Sequence, residues 1–188
     1  MRVDIASTGE VRDALDSNWP IFLNDIGFQA IYLPHTVKSS NIVEELGLHA
    51  LILTGGNDVL ESGNTYNSLR SNFEQELLVQ AEQLNTPVLG VCRGTQMINK
   101  YFGGKLSPIE NHVACNLDVI NSYHNFGIHK NDVASDLHLE AIAEDGSIEA
   151  LSHKKLPWFG MMWHPERKII DPEFHSQLVQ KILNGALK

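Results

Sequence analysis

The chain has few of the residues that define several whole classes of protein. Cys92 and Cys115 are the only cysteines among 188 residues, so no disulfide framework of a secreted domain can form. No apolar run approaches the ~20 residues that a membrane-spanning helix needs, and no apolar secretory signal stands at the N-terminus. Internal repeats, low-complexity tracts and linkers are absent as well. We therefore expect a reduced, cytoplasmic protein that does not bind membranes.

Positive charge is also scarce. The chain has 14 Lys and Arg residues against 23 Asp and Glu, which gives a formal net charge of −9. A bare phosphate backbone would repel so acidic a chain, so we expect no nucleic-acid partner. The hydrophobic fraction of 43% and the charged fraction of 20% are ordinary for a globular protein. Because one core usually takes ~100–200 residues, residues 1–188 are expected to form a single domain.

Short apolar runs alternate with amphipathic stretches along the sequence. The apolar runs predict strands at 2–6, 30–33, 50–53, 87–91 and 159–163, and the amphipathic stretches predict helices at 10–26, 66–84, 94–102 and 172–187, the last capped by Asp171. Three alternating runs, at 113–120, 137–143 and 147–151, predict hairpins or a small antiparallel subsheet before the last core strand. This order predicts an α/β fold with a mostly parallel sheet that helices cover on both faces.

A cysteine lies between a predicted strand and a predicted helix, in the run Gly90-Val-Cys92-Arg-Gly94. The flanking glycines allow a strained turn that presents the thiol above the sheet edge, as in a nucleophile elbow. The free N–H groups of the next helix would favour the reactive thiolate. A buried structural cysteine is the alternative for this segment. Cys115 lies in an alternating run and is expected to be a packed side chain.

A histidine and a glutamate follow the last predicted strand, in the run Trp163-His164-Pro165-Glu166. Because the carboxyl ends of parallel strands share one edge of a sheet, we expect His164 on the same edge as Cys92. Glu166 can turn back past the proline toward the imidazole, which would complete a set of groups suited to covalent acyl chemistry. A strand-end histidine with a solvated glutamate is the alternative. We expect no metal site, because no Cys/His cluster has zinc spacing.

Two glycines, Gly55 and Gly56, follow another predicted strand, within the run Leu-Thr-Gly-Gly-Asn-Asp at 53–58. Their backbone N–H groups would lie at the sheet edge and could bind a developing oxyanion. The N–H of Arg93, the residue after the cysteine, is the other candidate donor. Taken alone, this run is an ordinary turn, so its position relative to Cys92 decides its meaning.

These three motifs together resemble those of the class I (triad) glutamine amidotransferase superfamily, over nearly the whole chain. Residues 90–99 (Gly-Val-Cys-Arg-Gly-Thr-Gln-Met-Ile-Asn) and 102–106 (Phe-Gly-Gly-Lys-Leu) are more similar to the γ-glutamyl hydrolase branch, peptidase family C26, than to synthase-linked glutaminases. Arginine after the nucleophile is typical of that branch. Many glutaminase subunits have Leu-Gly-His-Gln at the corresponding positions.

Other segments are also similar to the γ-glutamyl hydrolase branch. They include residues 12–16 (Arg-Asp-Ala-Leu-Asp), the pair Arg70 and Glu74, and residues 121–125 (Asn-Ser-Tyr-His-Asn). The short length and the last of these runs resemble enzymes that cleave γ-glutamyl-CDP-amidate more than the longer γ-glutamyl-GABA hydrolases.

The resemblance implies a fold, a reaction and a set of site residues. The fold is a three-layer αβα sandwich of the flavodoxin-like kind, and the reaction is hydrolysis of a γ-glutamyl amide through a glutamyl thioester, which releases glutamate and needs no cofactor. The implied roles are Cys92 as nucleophile, His164 as base, Glu166 as its orienting partner, the N–H groups of Gly55 or Gly56 and of Arg93 as oxyanion donors, and Gln96, Ser122, Tyr123 and His124 as the glutamyl pocket. A polar hairpin is the alternative for the segment of Ser122 and His124. Met162 departs from the family, which has Gln there in many members.

Three functions remain open on these residues. The first is a free-standing hydrolase with a small-molecule γ-glutamyl substrate, and the second is a glutaminase subunit that passes ammonia to a separate synthase. Arg93 and the lack of a fused synthase domain favour the first. The third is a non-catalytic regulatory domain, which the intact Cys92, His164 and Glu166 disfavour. A homodimer is compatible with each of the three.

The leaving group depends on residues 62–70 and 125–132, which would face it. Short loops there favour a bulky polar leaving group such as a nucleotide, whereas the net charge of −9 would repel an anion at long range. We expect Arg70, Arg93 and Lys100 to offset that repulsion near the site, because a guanidinium suits phosphate well.

Overall fold

The computed structural model describes residues 1–37, 40–59, 65–109, 126–167 and 169–187. Its strands are β1 (Arg2–Ile5), β2 (Val11–Ala14), β3 (Leu51–Leu53), β4 (Val88–Val91), β5 (Ser107–Pro108), β6 (Phe126–Gly127), β7 (Leu137–Ile142), β8 (Ile148–His153) and β9 (Trp158–Met161). Its helices are α1 (Asn18–Asp25), α2 (Ile42–Glu45), α3 (Thr65–Leu84), α4 (Arg93–Tyr101) and α5 (Pro172–Leu183), with a 3-10 turn at Lys130–Asp132.

The central sheet has five strands in the order β3-β4-β9-β8-β7. The β3, β4 and β9 strands are parallel to one another, whereas β8 pairs antiparallel with both β9 and β7. The sheet is therefore mixed, and its antiparallel part is the hairpin that the sequence predicts before the last core strand. The carboxyl ends of β3, β4 and β9 meet at one edge, which is where an α/β sheet binds its ligands.

Two hydrophobic cores lie on opposite faces of this sheet, so the fold has three layers. Because successive side chains of a strand point to opposite faces, Val88 joins one core and Leu89 the other. The first core packs α2, α3 and α4 against the sheet, and the second packs α1 and α5. Strands buried on both faces explain the nearly continuous apolar run at β4.

The helix predicted over 10–26 is wrong in its first half. Residues 11–14 form β2, which pairs antiparallel with β1 around a turn at Gly9, where φ is +84°. The helix is limited to Asn18–Asp25. The apolar residues on either side of this boundary have helical spacing by coincidence, because two separate elements each bury part of the run.

The strand predicted over 30–33 is also wrong. Residues 30–33 have no strand pairing, although Ala30 and Leu33 pack partly against the two cores. The apolar run here reflects burial and not sheet pairing, which periodicity alone does not separate. The strand predicted at 2–6 is present as β1, but it lies in a separate two-stranded sheet with β2 and not in the central sheet. The predicted strands at 50–53, 87–91 and 159–163 and the helices at α3, α4 and α5 are confirmed within a few residues. The alternating run at 113–120, with Cys115, lies outside the described residues.

The ends of α5 follow the rules for helix termini. Asp171 caps it by accepting a hydrogen bond from the backbone N–H of Phe174 at 3.0 Å, and Pro172 occupies the first turn. Among the helices of the described residues, none is long and apolar enough to cross a bilayer.

Candidate active site

Cys92 lies in a strained turn between β4 and α4. Its backbone has φ 53° and ψ −108°, which a non-glycine residue adopts only when its surroundings impose it. Its N–H donates to the carbonyl of Met161 on β9 at 2.8 Å, which fixes the turn to the neighbouring strand. The helix that follows is nine residues long and starts directly after the sulfur-bearing residue.

The glycines around Cys92 are required by close packing. A Cβ atom on Gly90 would lie 2.6 Å from backbone atoms of Gly94, and one on Gly94 would lie 2.0 Å from the carbonyl oxygen of Leu53. The hydroxyl of Thr95 donates to the carbonyl of Met161 at 2.7 Å and thereby ties α4 to β9. Close packing therefore explains why glycines flank the cysteine, as is expected of a strand-to-helix elbow.

His164 follows β9 and reaches both Cys92 and Glu166. Its Nδ1 is 2.7 Å from Oε1 of Glu166, and the Cys92 side chain is also hydrogen-bonded to the ring. Because Nδ1 is engaged by the carboxylate, Nε2 is the nitrogen that faces the sulfur. All three side chains are buried. The structure thus brings together the three residues that the sequence nominates as a triad.

The environment of His164 favours its charged form. Burial alone would lower the pKa of His164, but hydrogen bonds to Cys92 and Glu166 and the charges of both groups outweigh burial and raise the pKa to about 9. The contacts of this ring therefore favour the imidazolium over the neutral imidazole. A protonated imidazole beside the sulfur can donate a proton to a leaving group.

Gly55 packs directly against the cysteine and the histidine. A Cβ atom on Gly55 would lie 2.7 Å from Cε1 of His164 and 3.4 Å from Cβ of Cys92. Gly56 has φ +89°, and a Cβ there would meet the Arg2 side chain at 2.7 Å. The Gly-Gly turn after β3 therefore lies at the same edge as Cys92, with room for backbone alone.

The backbone N–H of Arg93 follows Cys92 directly in the chain. Arg93 is the first residue of α4, and the first N–H groups of a helix have no partner within the helix. Their partial positive charge makes a helix start suitable for binding an anion. The start of α4 and the Gly-Gly turn therefore both lie next to Cys92.

Two buried arginines have a different role from the one expected. Arg70 and Arg93 are each 1% exposed, and both pair with Glu74 of α3. Arg93 also donates to the hydroxyl of Ser71 at 2.9 Å. The expectation that these guanidinium groups bind a substrate phosphate is wrong, because both are buried and their Nη1 and Nη2 groups donate to protein groups. Lys100 is in the last turn of α4, about 10 Å or more along the helix from Cys92.

The charge balance of this cluster keeps Glu74 ionised. Burial would raise the pKa of Glu74, but the charges of Arg70 and Arg93 and their hydrogen bonds hold it below its usual range. Burial lowers the pKa of Arg70 from its usual value, an effect that Glu74 opposes. From the sequence, Arg70 and Glu74 are noted only for their similarity to residues of the γ-glutamyl hydrolase branch. Their joint contact with Arg93 is not visible in local spacing.

Of the four residues expected to form a glutamyl pocket, only Gln96 lies within the described part of the chain. Gln96 is buried in the first turns of α4, and its Nε2 donates to the carbonyl of Phe126 at 2.7 Å. Ser122, Tyr123 and His124 lie outside the described residues. Met162 is fully buried, and its N–H donates to the carbonyl of Glu149 at 2.8 Å. No group of three or more His, Cys, Asp or Glu suited to a metal ion occurs in the described part of the chain.

A separate cavity of about 680 Å³ lies along the free edge of β3. Its walls come from the N-terminal hairpin, α1, residues 27–35 and part of α3, and they include neither Cys92 nor His164. We do not assign the substrate to it, because it contains none of the elbow residues.

Comparisons with known sequences and structures bear on the family and the fold of the chain. The family model described as "Glutamine amidotransferase class-I" matches residues 20–173. The gamma-glutamyl-CDP-amidate hydrolase of Campylobacter jejuni is 34% identical over 168 residues, which cover 85% of this chain and 83% of that protein. The glutamine-hydrolysing GMP synthase subunit of Thermococcus kodakarensis is 25% identical over 159 residues, which cover 77% and 79% of the two chains.

A solved structure shares the fold. The crystal structure of a Thermoplasma acidophilum protein, provisionally described as a subunit of GMP synthase, superposes with a TM-score of 0.71. The match covers 98% of this chain and 92% of the other at 17% sequence identity. At that identity the comparison bears on the fold alone.

Proposed function

The chain belongs to the class-I glutamine amidotransferase family, and we propose that it hydrolyses a γ-glutamyl amide bond through a thioester on Cys92. The observation that carries this proposal is the buried hydrogen-bonded series of Cys92, His164 and Glu166 at the start of α4. A non-catalytic domain would have no need for a strained cysteine held against a charged imidazole.

The first half of the reaction forms the thioester. The sulfur of Cys92 attacks the γ-carbonyl carbon, and the carbonyl electron pair moves onto oxygen. The N–H groups of the Gly55–Gly56 turn and of Arg93 donate to that oxyanion. As the intermediate collapses, the C–N bond breaks and His164 donates its Nε2 proton to the leaving nitrogen.

The second half of the reaction releases glutamate. The imidazole of His164, now neutral, takes a proton from a water molecule, and the resulting hydroxide attacks the thioester carbonyl. The C–S bond breaks, and the thiolate forms again beside the imidazolium. Glu166 keeps the ring oriented and stabilises its positive charge throughout.

We assign the substrate to the γ-glutamyl amides with a nucleotide-linked leaving group, of which γ-glutamyl-CDP-amidate is the best supported. The support is the Campylobacter jejuni relative that carries this activity in its name. Since Arg70 and Arg93 are engaged with Glu74, any contacts to the phosphates come from other groups. A simple γ-glutamyl amine is the alternative substrate.

A glutaminase that serves a synthase is the second candidate function. The relatives named as glutamine-hydrolysing subunits of GMP synthase support it, because a protein named as a subunit belongs to a larger assembly. The candidates differ in one measurable property: a free-standing hydrolase turns over its substrate at a steady rate alone, whereas the synthase-linked glutaminase is expected to need its partner.

The test is a set of kinetic constants for the purified chain. We expect kcat/KM for γ-glutamyl-CDP-amidate to exceed the values for γ-glutamyl-GABA and glutamine, with glutamate released, and Cys92→Ala to be inactive. If γ-glutamyl-GABA or glutamine is better by tenfold, which is ~1.4 kcal/mol in the transition state, the nucleotide assignment is wrong. Activity toward glutamine that appears only with a synthase partner would favour the second function.

A further inference from the structure

Glu74 lies between the two arginines that adjoin the Cys92 edge. Each of its carboxylate oxygens accepts from a different guanidinium: Oε1 from Nε of Arg70 at 2.8 Å, and Oε2 from Nη1 of Arg93. Glu74 is 4% exposed. A buried carboxylate with a separate arginine on each oxygen connects two parts of the molecule that are 23 residues apart along the chain, from residue 70 to residue 93.

Arg70 binds the backbone of the Gly-Gly turn. Its Nη2 donates to the carbonyls of Thr54 at 2.7 Å and Gly55 at 3.2 Å, and its Nη1 donates to the carbonyl of Gly56. Three successive carbonyls therefore point toward one guanidinium. Glu74 occupies the Nε of that group and so fixes its rotation.

The position of these carbonyls sets the direction of the oxyanion donors. In a trans peptide the C=O and the next N–H point in opposite directions, and the described residues contain no cis peptide bond. The carbonyls of Thr54 and Gly55 share peptide planes with the N–H groups of Gly55 and Gly56. With those carbonyls held by Arg70, both N–H groups point away from the guanidinium.

Arg93 supplies the other donor and is held by the same carboxylate. Its backbone N–H starts α4, while its side chain donates to Glu74 and to the hydroxyl of Ser71. Both Glu74 and Ser71 are on α3. The residue after the nucleophile is thus anchored to the helix that also orients the Gly-Gly turn.

We infer that Glu74 is a positioning residue that sets the spacing of the two oxyanion donors, through Arg70 on one side and Arg93 on the other. This inference rests on the proposed function in taking Cys92 as the nucleophile and the N–H groups of the Gly-Gly turn and of Arg93 as the oxyanion donors. It predicts a loss confined to steps that develop a negative oxygen. Loss of one oxyanion donor costs ~10²–10³ in rate, so misplacement should cost roughly tenfold to a hundredfold.

Two reactions of Cys92 separate this role from a structural one. Acylation by p-nitrophenyl acetate forms an S–C bond at a carbonyl, passes through an oxyanion and expels p-nitrophenolate. Alkylation by iodoacetamide also forms an S–C bond, but it displaces iodide at a saturated carbon with no oxyanion. We expect Glu74→Gln to slow acylation about tenfold to a hundredfold and to leave alkylation within about twofold.

The matched control is Glu76→Gln, an exposed position on the same helix, which should change neither rate. Arg70→Lys is the second variant, because a lysine keeps the charge but cannot bind Glu74 and three carbonyls together. Arg70→Lys should also slow acylation and leave the alkylation rate unchanged. If circular dichroism shows that Glu74→Gln does not fold, Arg70→Lys decides the question.

Equal loss of both rates in the folded variants, or loss of neither, would overturn the inference. The readout is independent of the natural substrate. If the ratio of the acylation rate to the alkylation rate falls as expected while no γ-glutamyl compound is hydrolysed, the positioning role stands and the proposed substrate class is wrong. If the ratio does not change while γ-glutamyl hydrolysis is intact, the positioning role is wrong and the proposed function stands.

Discussion

At the scale of single residues, His164 carries the proton that the proposed chemistry moves. Its ring nitrogens have separate partners, Glu166 on Nδ1 and the sulfur on the other, so the direction of proton transfer is fixed by geometry. The contact with Glu166 is buried, and a charge-assisted hydrogen bond is strongest where water is excluded.

The raised pKa of His164, about 9, gives a prediction for the pH dependence of activity. Because the imidazolium donates the proton to the leaving nitrogen, kcat/KM for the preferred γ-glutamyl substrate should fall as pH rises through about 9. Glu166→Gln removes a negative charge that helps to raise this pKa, so the alkaline limb should move to lower pH. A pH profile of both proteins checks this, and an unmoved limb would show that Glu166 does not act on His164.

The raised pKa of His164 also makes the stability of the protein depend on pH. Folding raises the pKa of His164 above its ordinary value of 6.5. The contribution of His164 to the free energy of unfolding is therefore fully present below about pH 6.5 and is lost as pH rises through about 9. The free energy of unfolding of the wild type should therefore exceed that of Glu166→Gln most below pH 6.5. Denaturant titrations at several pH values measure this difference, and a gap that widens toward pH 9 would contradict it.

At the scale of elements, the elbow depends on how closely α4 approaches β3 and β9. Gly94 lies against the backbone of β3, and Thr95 ties α4 to β9 through the Met161 carbonyl. The three elements therefore hold the φ of Cys92 in its strained range together. The strain is stored locally and is offset by packing of the surrounding strands.

Gly94→Ala tests this packing. Helix propensity alone would favour alanine at this position by up to ~1 kcal/mol. The added Cβ would lie 2.0 Å from the Leu53 carbonyl oxygen, so we expect a net destabilisation of about 1–3 kcal/mol and loss of activity.

The control for Gly94→Ala is Gly103→Ala, after α4. Its added Cβ meets no atom within 4 Å, and only its φ of +85° opposes alanine. Thermal unfolding with an activity assay compares the two. A Gly94→Ala protein as stable and active as the wild type would mean that the close approach of α4 to β3 is not required.

Much of this element structure could be predicted from the sequence. The elbow, the Gly-Gly turn and the His-Pro-Glu run each follow a core strand, and parallel strands bring such ends together by topology. The N-terminal hairpin could not be predicted, since the side chains of β2 and α1 together imitate one amphipathic helix. The Arg70–Glu74–Arg93 cluster also escaped prediction, because a tertiary contact between α3 and α4 creates it.

At the scale of the whole molecule, the net charge of the chain and the charge of the buried cluster near Cys92 have opposite signs. The net charge of −9 covers the chain as a whole, whereas two guanidinium groups and one carboxylate are concentrated behind the Cys92 edge. An anionic ligand would therefore be repelled at long range, while the positive charge of Arg70 and Arg93 is buried in the protein.

The central claim is that a γ-glutamyl thioester forms on Cys92, and rapid acid quench with intact and peptide mass spectrometry tests it most directly. During turnover of the preferred γ-glutamyl substrate, we predict a γ-glutamyl adduct on the peptide containing Cys92, with none on Cys115. Cys92→Ser should give no thioester and little turnover, whereas Cys115→Ser should match the wild type in both. An adduct on Cys115, or full turnover by Cys92→Ser, would contradict the account.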